Sequence, residues 1–313
     1  MSVGVLGLSH LGIVSSVAIA SKGFEVIAYD ADAALCERLS RGELPVAEPQ
    51  LPELLAAHRS RVRFTSDPDA LGACEVLVCA ADVPTDAANC SDLSRIHTLI
   101  DTALARANDV ATLVVLSQVP PGFTRALAQR LDGAARRAVC YQVETLIFGR
   151  AVERALQPER FIVGCNDPQQ PLAPAYAALL VAFGCPIITM RYESAELAKV
   201  ALNMLLVSSV STANTLAELC EAIGADWSEI IPALRSDARI GQRAYLDPGL
   251  GLSGGNLERD LATVQALAGV HGTEIGIVDA WLANSRHRRD WALRRLHKQV
   301  LSRTADPVLA VWG

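Results

Sequence analysis

Over the first 190 residues short apolar runs alternate with longer mixed stretches, and beyond them the rhythm stops. Val3-Gly-Val-Leu6 and Glu25-Val-Ile-Ala-Tyr29 read as buried strands, since brief apolar runs bounded by turn residues suit a sheet covered on both faces. A helix-like run ending at Lys22 lies between them and is closed by Gly23. Further strands are predicted at 62–65, 76–79, 111–116, 138–142, 161–164 and 186–190, with helices between most of them. The alternation predicts an α/β fold that begins with a Rossmann-like, doubly wound, mostly parallel sheet, whose ligands bind beyond the C-terminal strand ends.

Residues 194–223 contain neither Pro nor Gly, and Gly224 supplies a stop. A helix of roughly 45 Å is predicted there, apolar nearly all round and therefore buried. Helices are expected again at 226–234, from 258 to about 268 and from 273 to about 303, so an all-α domain built on the long helix follows the sheet. The basic second half of the last helix reads as a solvated face in preference to a phosphate-facing patch. The expected division is 1–190 for the sheet domain, 191–303 for the helical domain and 304–313 for the start of a third domain. Asp306-Pro-Val-Leu-Ala-Val-Trp-Gly313 looks like a strand meeting a glycine turn.

Composition narrows the function classes. A net charge of -6 argues against a nucleic-acid binder. The eight cysteines include no Cys-x-x-Cys pair and several lie in apolar runs, which fits buried free thiols in a reducing cytosol better than disulfides or zinc. No metal site is expected. Met1-Ser-Val-Gly-Val-Leu lacks the basic region of a signal peptide, and Lys199, Asn203 and Asn214 argue against a membrane span in the long helix. A cytoplasmic enzyme is the resulting expectation.

Three places carry candidate chemistry. Gly7-Leu-Ser-His-Leu-Gly12 follows the first strand and Asp30 ends the second, the βαβ arrangement that binds a dinucleotide. Gly7 permits the turn, Gly12 lets helix and strand approach, the helix start receives a pyrophosphate, and Asp30 holds the ribose hydroxyls, favouring NAD over NADP. Ser9 stands off pattern at the middle glycine, and His10 and Leu11 complete the stretch that lines the cofactor. On the long helix, Glu196, Lys199 and Asn203 share one face. They read either as a structural Glu196–Lys199 ion pair or as a site with Lys199 and Asn203 aimed at a ligand. The glycines from Tyr245 to Gly255 suggest backbone wrapped closely around a ligand.

The chain resembles the UDP-glucose/GDP-mannose dehydrogenase family, NAD-dependent nucleotide-sugar dehydrogenases. The resemblance rests on the N-terminal turn, Glu48-Pro-Gln-Leu-Pro-Glu-Leu-Leu55, Ser117-Gln-Val-Pro-Pro-Gly122, Gln157-Pro-Glu-Arg-Phe-Ile-Val-Gly164, Glu196-Leu-Ala-Lys-Val-Ala-Leu-Asn203, Asp237-Ala-Arg-Ile-Gly241 and the 245–255 segment. It implies oxidation of a sugar C6 alcohol in two NAD-dependent steps through a thiohemiacetal and a thioester. It also implies that Lys199 and Asn203 stabilise an oxyanion, that Asp260 orders water and Lys199, and that Glu144 assists hydrolysis. Ser117 and Gln118 fall on the cofactor side. Tyr245, Gly249, Gly251 and Gly254 fall on the sugar-nucleotide loop, and Arg239 resembles an arginine that reaches a neighbouring subunit's substrate. The long helix, 194–223, would be the core of a homodimer.

Departures accompany these matches. The nucleophilic cysteine position is Asn256, the second acid is Phe148, and the family's Ser-Thr is Ser117-Gln118. Asn offers no thiolate, so the thioester half-reaction is expected to be missing. Three readings stay open: a nucleotide-sugar dehydrogenase relative making one hydride transfer, a β-hydroxyacid-type dehydrogenase, and a non-catalytic protein that binds NAD or sugar nucleotide.

Overall fold

The computed structural model describes residues 1–86, 91–131, 137–252 and 255–312, and the backbone alone at 255 and 256. Two compact units result, one of residues 1–86 and 91–199 and the other from Val200 onward.

The first unit runs β1 (Ser2–Leu6), α1 (His10–Ser21), β2 (Glu25–Tyr29), α2 (Ala33–Arg41), α3 (Leu51–His58), β3 (Val62–Thr65), β4 (Val76–Cys79), α4 (Ser94–Leu104), β5 (Thr112–Val115), α5 (Phe123–Leu131), β6 (Val139–Gln142), α6 (Ala151–Leu156), β7 (Phe161–Cys165), α7 (Pro174–Val181) and β8 (Ile187–Arg191). The strands form one sheet in the order β3-β2-β1-β4-β5-β6-β7-β8, parallel except where β7 runs against β6. The order reverses after β1, where α/β sheets place their ligands. Strand residues alternate between two hydrophobic layers. Val76 and Val78 join Val5, Ile13 and Val114 on one face, while Leu77 and Cys79 join Leu6, Leu113 and Tyr141 on the other. Every strand predicted from the apolar runs is present.

The last turns of this unit open α8 (Tyr192–Ile223), which continues into the second unit. There α9 (Trp227–Ser236), α10 (Gly255–His271), α11 (Gly276–Arg289) and α12 (Trp291–Leu296) follow. Val207, Leu252, Leu261 and Val278 form one buried cluster, and Ala213, Ala217, Cys220 and Trp227 another. By length and composition α8 could cross a bilayer. Its polar side chains nevertheless have partners within the chain: Glu196 and Lys199 in the first unit, Asn203 and Asn214 in the second.

Three expectations need correction. The last helix is not continuous: it breaks at Asp290 between α11 and α12. Its basic end is not simply solvated, because Arg288 is buried and Arg294 and Arg295 pair with Glu218 and Glu221 of α8. The segment after Ser302 carries no strand among the described residues, since it has no neighbouring strand to pair with.

Candidate functional site

The turn after β1 is built by close contacts. Gly7 takes a φ of +88°, and its N–H donates to the Tyr29 carbonyl at 2.9 Å. A Cβ on Gly12 would lie 1.8 Å from the Gly7 carbonyl oxygen, so only glycine lets α1 start so near the strand. Ser9 does not obstruct the cradle. Its hydroxyl turns toward β4, donating to the Ala80 carbonyl at 3.3 Å and accepting from the Asp82 N–H at 3.0 Å. The first N–H groups of α1 have no intrahelical partner and suit a pyrophosphate. Leu11 is buried, so its main chain is what it can offer a cofactor.

Asp30 is buried at the end of β2. One carboxylate oxygen accepts the Leu8 N–H at 2.8 Å, and the other accepts the Asp32 N–H at 3.1 Å. Arg95, near the start of α4, places Nη2 2.8 Å from the oxygen that Leu8 holds. The residues therefore fit an adenosine ribose: an acid fixed by the turn itself, with a cation beside it.

His10 opens α1 and is held by a group that the sequence left without a role. Its Nε2 lies 3.0 Å from the Glu48 carboxylate, and its ring stacks on Phe148 at 4.2 Å. Glu48 also accepts the N–H groups of Gly149 and Ala151, at 3.1 and 2.8 Å. Burial would raise the Glu48 pKa, but these bonds and His10 hold it below the ordinary carboxylate value. A loop Glu-Pro was the only sign of this anchor.

At the end of β5, Ser117 is buried and its hydroxyl donates to the Ala81 carbonyl at 2.6 Å, tying β5 to β4. Gln118 follows it, on the same strand-end side as the Gly-rich turn.

Glu196 does not pair with Lys199. Its carboxylate is buried and accepts the Gly122 and Thr124 N–H groups at 2.6 and 2.8 Å, capping the start of α5. Lys199 instead points at Glu144, with 3.4 Å between Nζ and the carboxylate, and both side chains are nearly buried. Burial raises the Glu196 pKa despite the two N–H bonds. A raised carboxylate pKa means that its contribution to stability is fullest in acid and declines as pH climbs through the raised value. Glu196→Ala would leave two buried N–H groups unpaired, an expected loss of about 2–4 kcal/mol. Thermal unfolding should register that as a drop of roughly 5–10 °C, with Glu196→Gln intermediate because it keeps one acceptor oxygen.

In the second unit the Asn203 amide donates to Asp260, at 2.5 Å, and Asp260 is buried beside Arg259. Arg259 had no role in the sequence reading. Lys199 and Asn203 lie one helical turn apart on α8.

The glycine-rich segment wraps the chain's own helices. The Gly249 N–H donates to Asn214 at 2.7 Å, its carbonyl accepts from Arg288 at 2.8 Å, and the Leu252 N–H donates to Ser285 at 2.9 Å. Gly251 lies against Ser285 so closely that a Cβ would come within 2.6 Å of its carbonyl oxygen. Tyr245 and Leu250 remain exposed on this fixed backbone. Arg239 is exposed and forms a two-point pair with Asp237. Gly254 and the Asn256 side chain lie outside the described residues.

Burial pushes the Cys79 thiol up to about 11 and the Cys140 thiol up to about 12, and raises Cys36, Cys74 and Cys165 as well. Such thiols make poor nucleophiles at neutral pH. Among the described residues no group of three or more metal-ligating side chains occurs.

Comparison with known proteins adds to this geometry. The profile for the UDP-glucose/GDP-mannose dehydrogenase family, NAD binding domain, matches residues 1–179, and that for the family's central domain matches residues 193–286. UDP-glucose 6-dehydrogenase TuaD of Bacillus subtilis is 27% identical over 294 residues, covering 92% of this chain and 63% of the relative. UDP-glucose 6-dehydrogenase AglM of Haloferax volcanii is 29% identical, covering 90% of this chain and 68% of the relative. The structure of a UDP-glucose dehydrogenase from Pyrobaculum islandicum superposes with a TM-score of 0.85 at 29% identity, over 96% of this chain and 71% of that one. The chain thus spans about two thirds of the length of the curated relatives it matches.

Proposed function

Because the chain belongs to the UDP-glucose/GDP-mannose dehydrogenase family and carries its NAD-binding domain, we propose that it oxidises a CH–OH group of a nucleotide sugar of the UDP-glucose kind by a single hydride transfer to NAD. The observation that carries this reading is a contrast. Lys199 is kept nearly buried against Glu144, and Asn203 is kept on a buried Asp260, yet position 256 holds an asparagine where the family's nucleophilic cysteine belongs. An ammonium and an amide one turn apart can hold the oxygen of an alkoxide as its hydride leaves, the hydroxyl proton having gone to solvent. Neither can form a thioester, and the raised pKa values of Cys79 and Cys140 make those two thiols poor substitutes.

Nicotinamide accepts the hydride when bound. The chain's residues hold the dinucleotide at Gly7, Ser9, His10, Leu11, Gly12, Asp30, Ser117 and Gln118, and the substrate at Arg239, Tyr245, Gly249, Gly251 and Gly254. Asp260 and Glu144 fix the positions of Asn203 and Lys199. The exposed apolar row Leu205, Leu216, Leu219 and Ile223 on α8 supports a homodimer through that helix. Free buried cysteines support a reducing, cytoplasmic setting.

Incubation with NAD and UDP-glucose, followed by absorbance of the reduced nicotinamide and mass of the product, tests the reading. One NADH per sugar and a product two mass units lighter are expected. A carboxylate product with two NADH would show that the thiol is dispensable. Turnover confined to simple hydroxy acids would move the chain to the β-hydroxyacid type, and binding without turnover would mark a non-catalytic relative.

A further inference from the structure

The cofactor pocket contains a charge arrangement that its glycines and acid do not explain. Asp30 alone would repel a 2′-phosphate, since it presents a buried negative charge where the 2′ position of an adenosine ribose lies. The acid is not alone. Arg95 of α4 reaches over it with a 2.8 Å contact to the same carboxylate oxygen that accepts the Leu8 N–H. With the Asp32 N–H on the other oxygen, three donors converge on one carboxylate, and one of them is a cation. The Arg95 side chain is about half exposed, 47%, while Asp30 is 6% exposed, so the guanidinium forms the outer, solvent-facing edge of the pair. Among the described residues Asp30 is its one ion-pair partner, contacted through a single nitrogen, which leaves the remaining donors of the fork unengaged. A planar, permanently charged fork of this kind is the side chain best suited to a phosphate.

We propose that Arg95 is a specificity determinant of the dinucleotide site: it neutralises Asp30 and offers a cation to a 2′-phosphate, so the site admits NADP far more readily than the acid alone would allow. The inference rests on the assignment of the Gly-rich turn and Asp30 to NAD. Arg95 keeps its contact with Asp30 when the ribose is unsubstituted and turns its free donors to the phosphate when the ribose carries one. No other side chain need move, because Asp30 is already fixed by Leu8 and Asp32.

Calorimetric titration of the whole chain with NAD and with NADP gives the test, because it reads binding without turnover. The expected ratio of Kd for NADP to Kd for NAD is within about tenfold in the unaltered chain, and Arg95→Ala should raise that ratio at least tenfold. Raising the salt concentration should increase the ratio for the unaltered chain and leave it nearly constant for the variant, since the phosphate contact is exposed and screened. Arg130→Ala, which removes a pair with Asp101 farther along α4, should leave the ratio unchanged. A ratio beyond a hundredfold in the unaltered chain would overturn the proposal. So would an Arg95→Ala variant that weakens both dinucleotides equally, because Arg95 would then be only a tie between α4 and β2. If the unaltered chain binds neither dinucleotide, the NAD assignment falls and the proposal falls with it, a result distinct from a changed ratio.

Discussion

Lys199→Ala is expected to lower the rate of hydride transfer to NAD by about two to three orders of magnitude, the usual effect of removing a group that stabilises developing charge on oxygen. NAD affinity should stay within about threefold, because Lys199 pairs with Glu144, whereas the turn after β1 is tied to Tyr29 and Asp30. The variant should also lose a little stability. Glu144 would be left nearly buried, at 17% exposure, without the cation 3.4 Å away. That residual solvent contact limits the penalty to about 1 kcal/mol. Stopped-flow absorbance of reduced nicotinamide, combined with calorimetry for NAD, separates the two effects. Unchanged turnover would return Lys199 to the role of a structural partner of Glu144. Loss of NAD binding would mean that the fold had shifted and that the rate reports nothing about chemistry.

The second large effect concerns space rather than charge. Gly12→Ala must fit a methyl group 1.8 Å from the Gly7 carbonyl oxygen, and both the oxygen and the new Cβ belong to backbone that cannot rotate away. The start of α1 has to move off the strand, which takes the pyrophosphate-binding N–H groups with it. NAD affinity is expected to fall by more than a hundredfold, and stability by about 3 kcal/mol, the upper part of the range for overpacked sites. Gly23→Ala is the comparator. It closes the other end of α1 with nothing within 4 Å of a new Cβ, so only its φ of +94° resists the change. A loss of about 1 kcal/mol with NAD affinity intact is expected there. Equal effects at both positions would show that backbone conformation dominates and that the close approach at Gly12 is not what makes the cradle.

The sheet was legible in the sequence because a strand buried on both faces has no polar positions to disguise it. Val76-Leu-Val-Cys79 could be little else, and each of its side chains enters one of the two hydrophobic layers. Asp30 was legible for a related reason, since an acid directly after such a run marks a strand end. Partner choice was not legible. Spacing put Glu196 beside Lys199, but a carboxylate accepts whichever donor lacks an alternative, and the N–H groups at the start of α5 have none within their own helix. Lys199 found Glu144, 55 positions earlier in the chain. Arg288 was hidden by its neighbours, a run of basic residues that looks solvated until the glycine segment is seen folded against it. Periodicity cannot report these matters, because each depends on a donor and an acceptor brought together by the sheet or by the helical unit as a whole.

The Glu48 anchor has a consequence for synthesis of the chain. One buried carboxylate binds His10 at the start of α1 and the Gly149 and Ala151 N–H groups at the start of α6. A ribosome that has delivered the glycine turn must still deliver residue 151 before that turn is locked, and at typical elongation rates of about 5–20 residues per second the wait is roughly seven to thirty seconds. A nascent chain stopped short of α6 has every glycine of the cofactor cradle and lacks the clasp that fastens His10. Dinucleotide affinity in stalled nascent chains should therefore rise in a step once residue 151 has itself cleared the exit tunnel, long after the motif has done so.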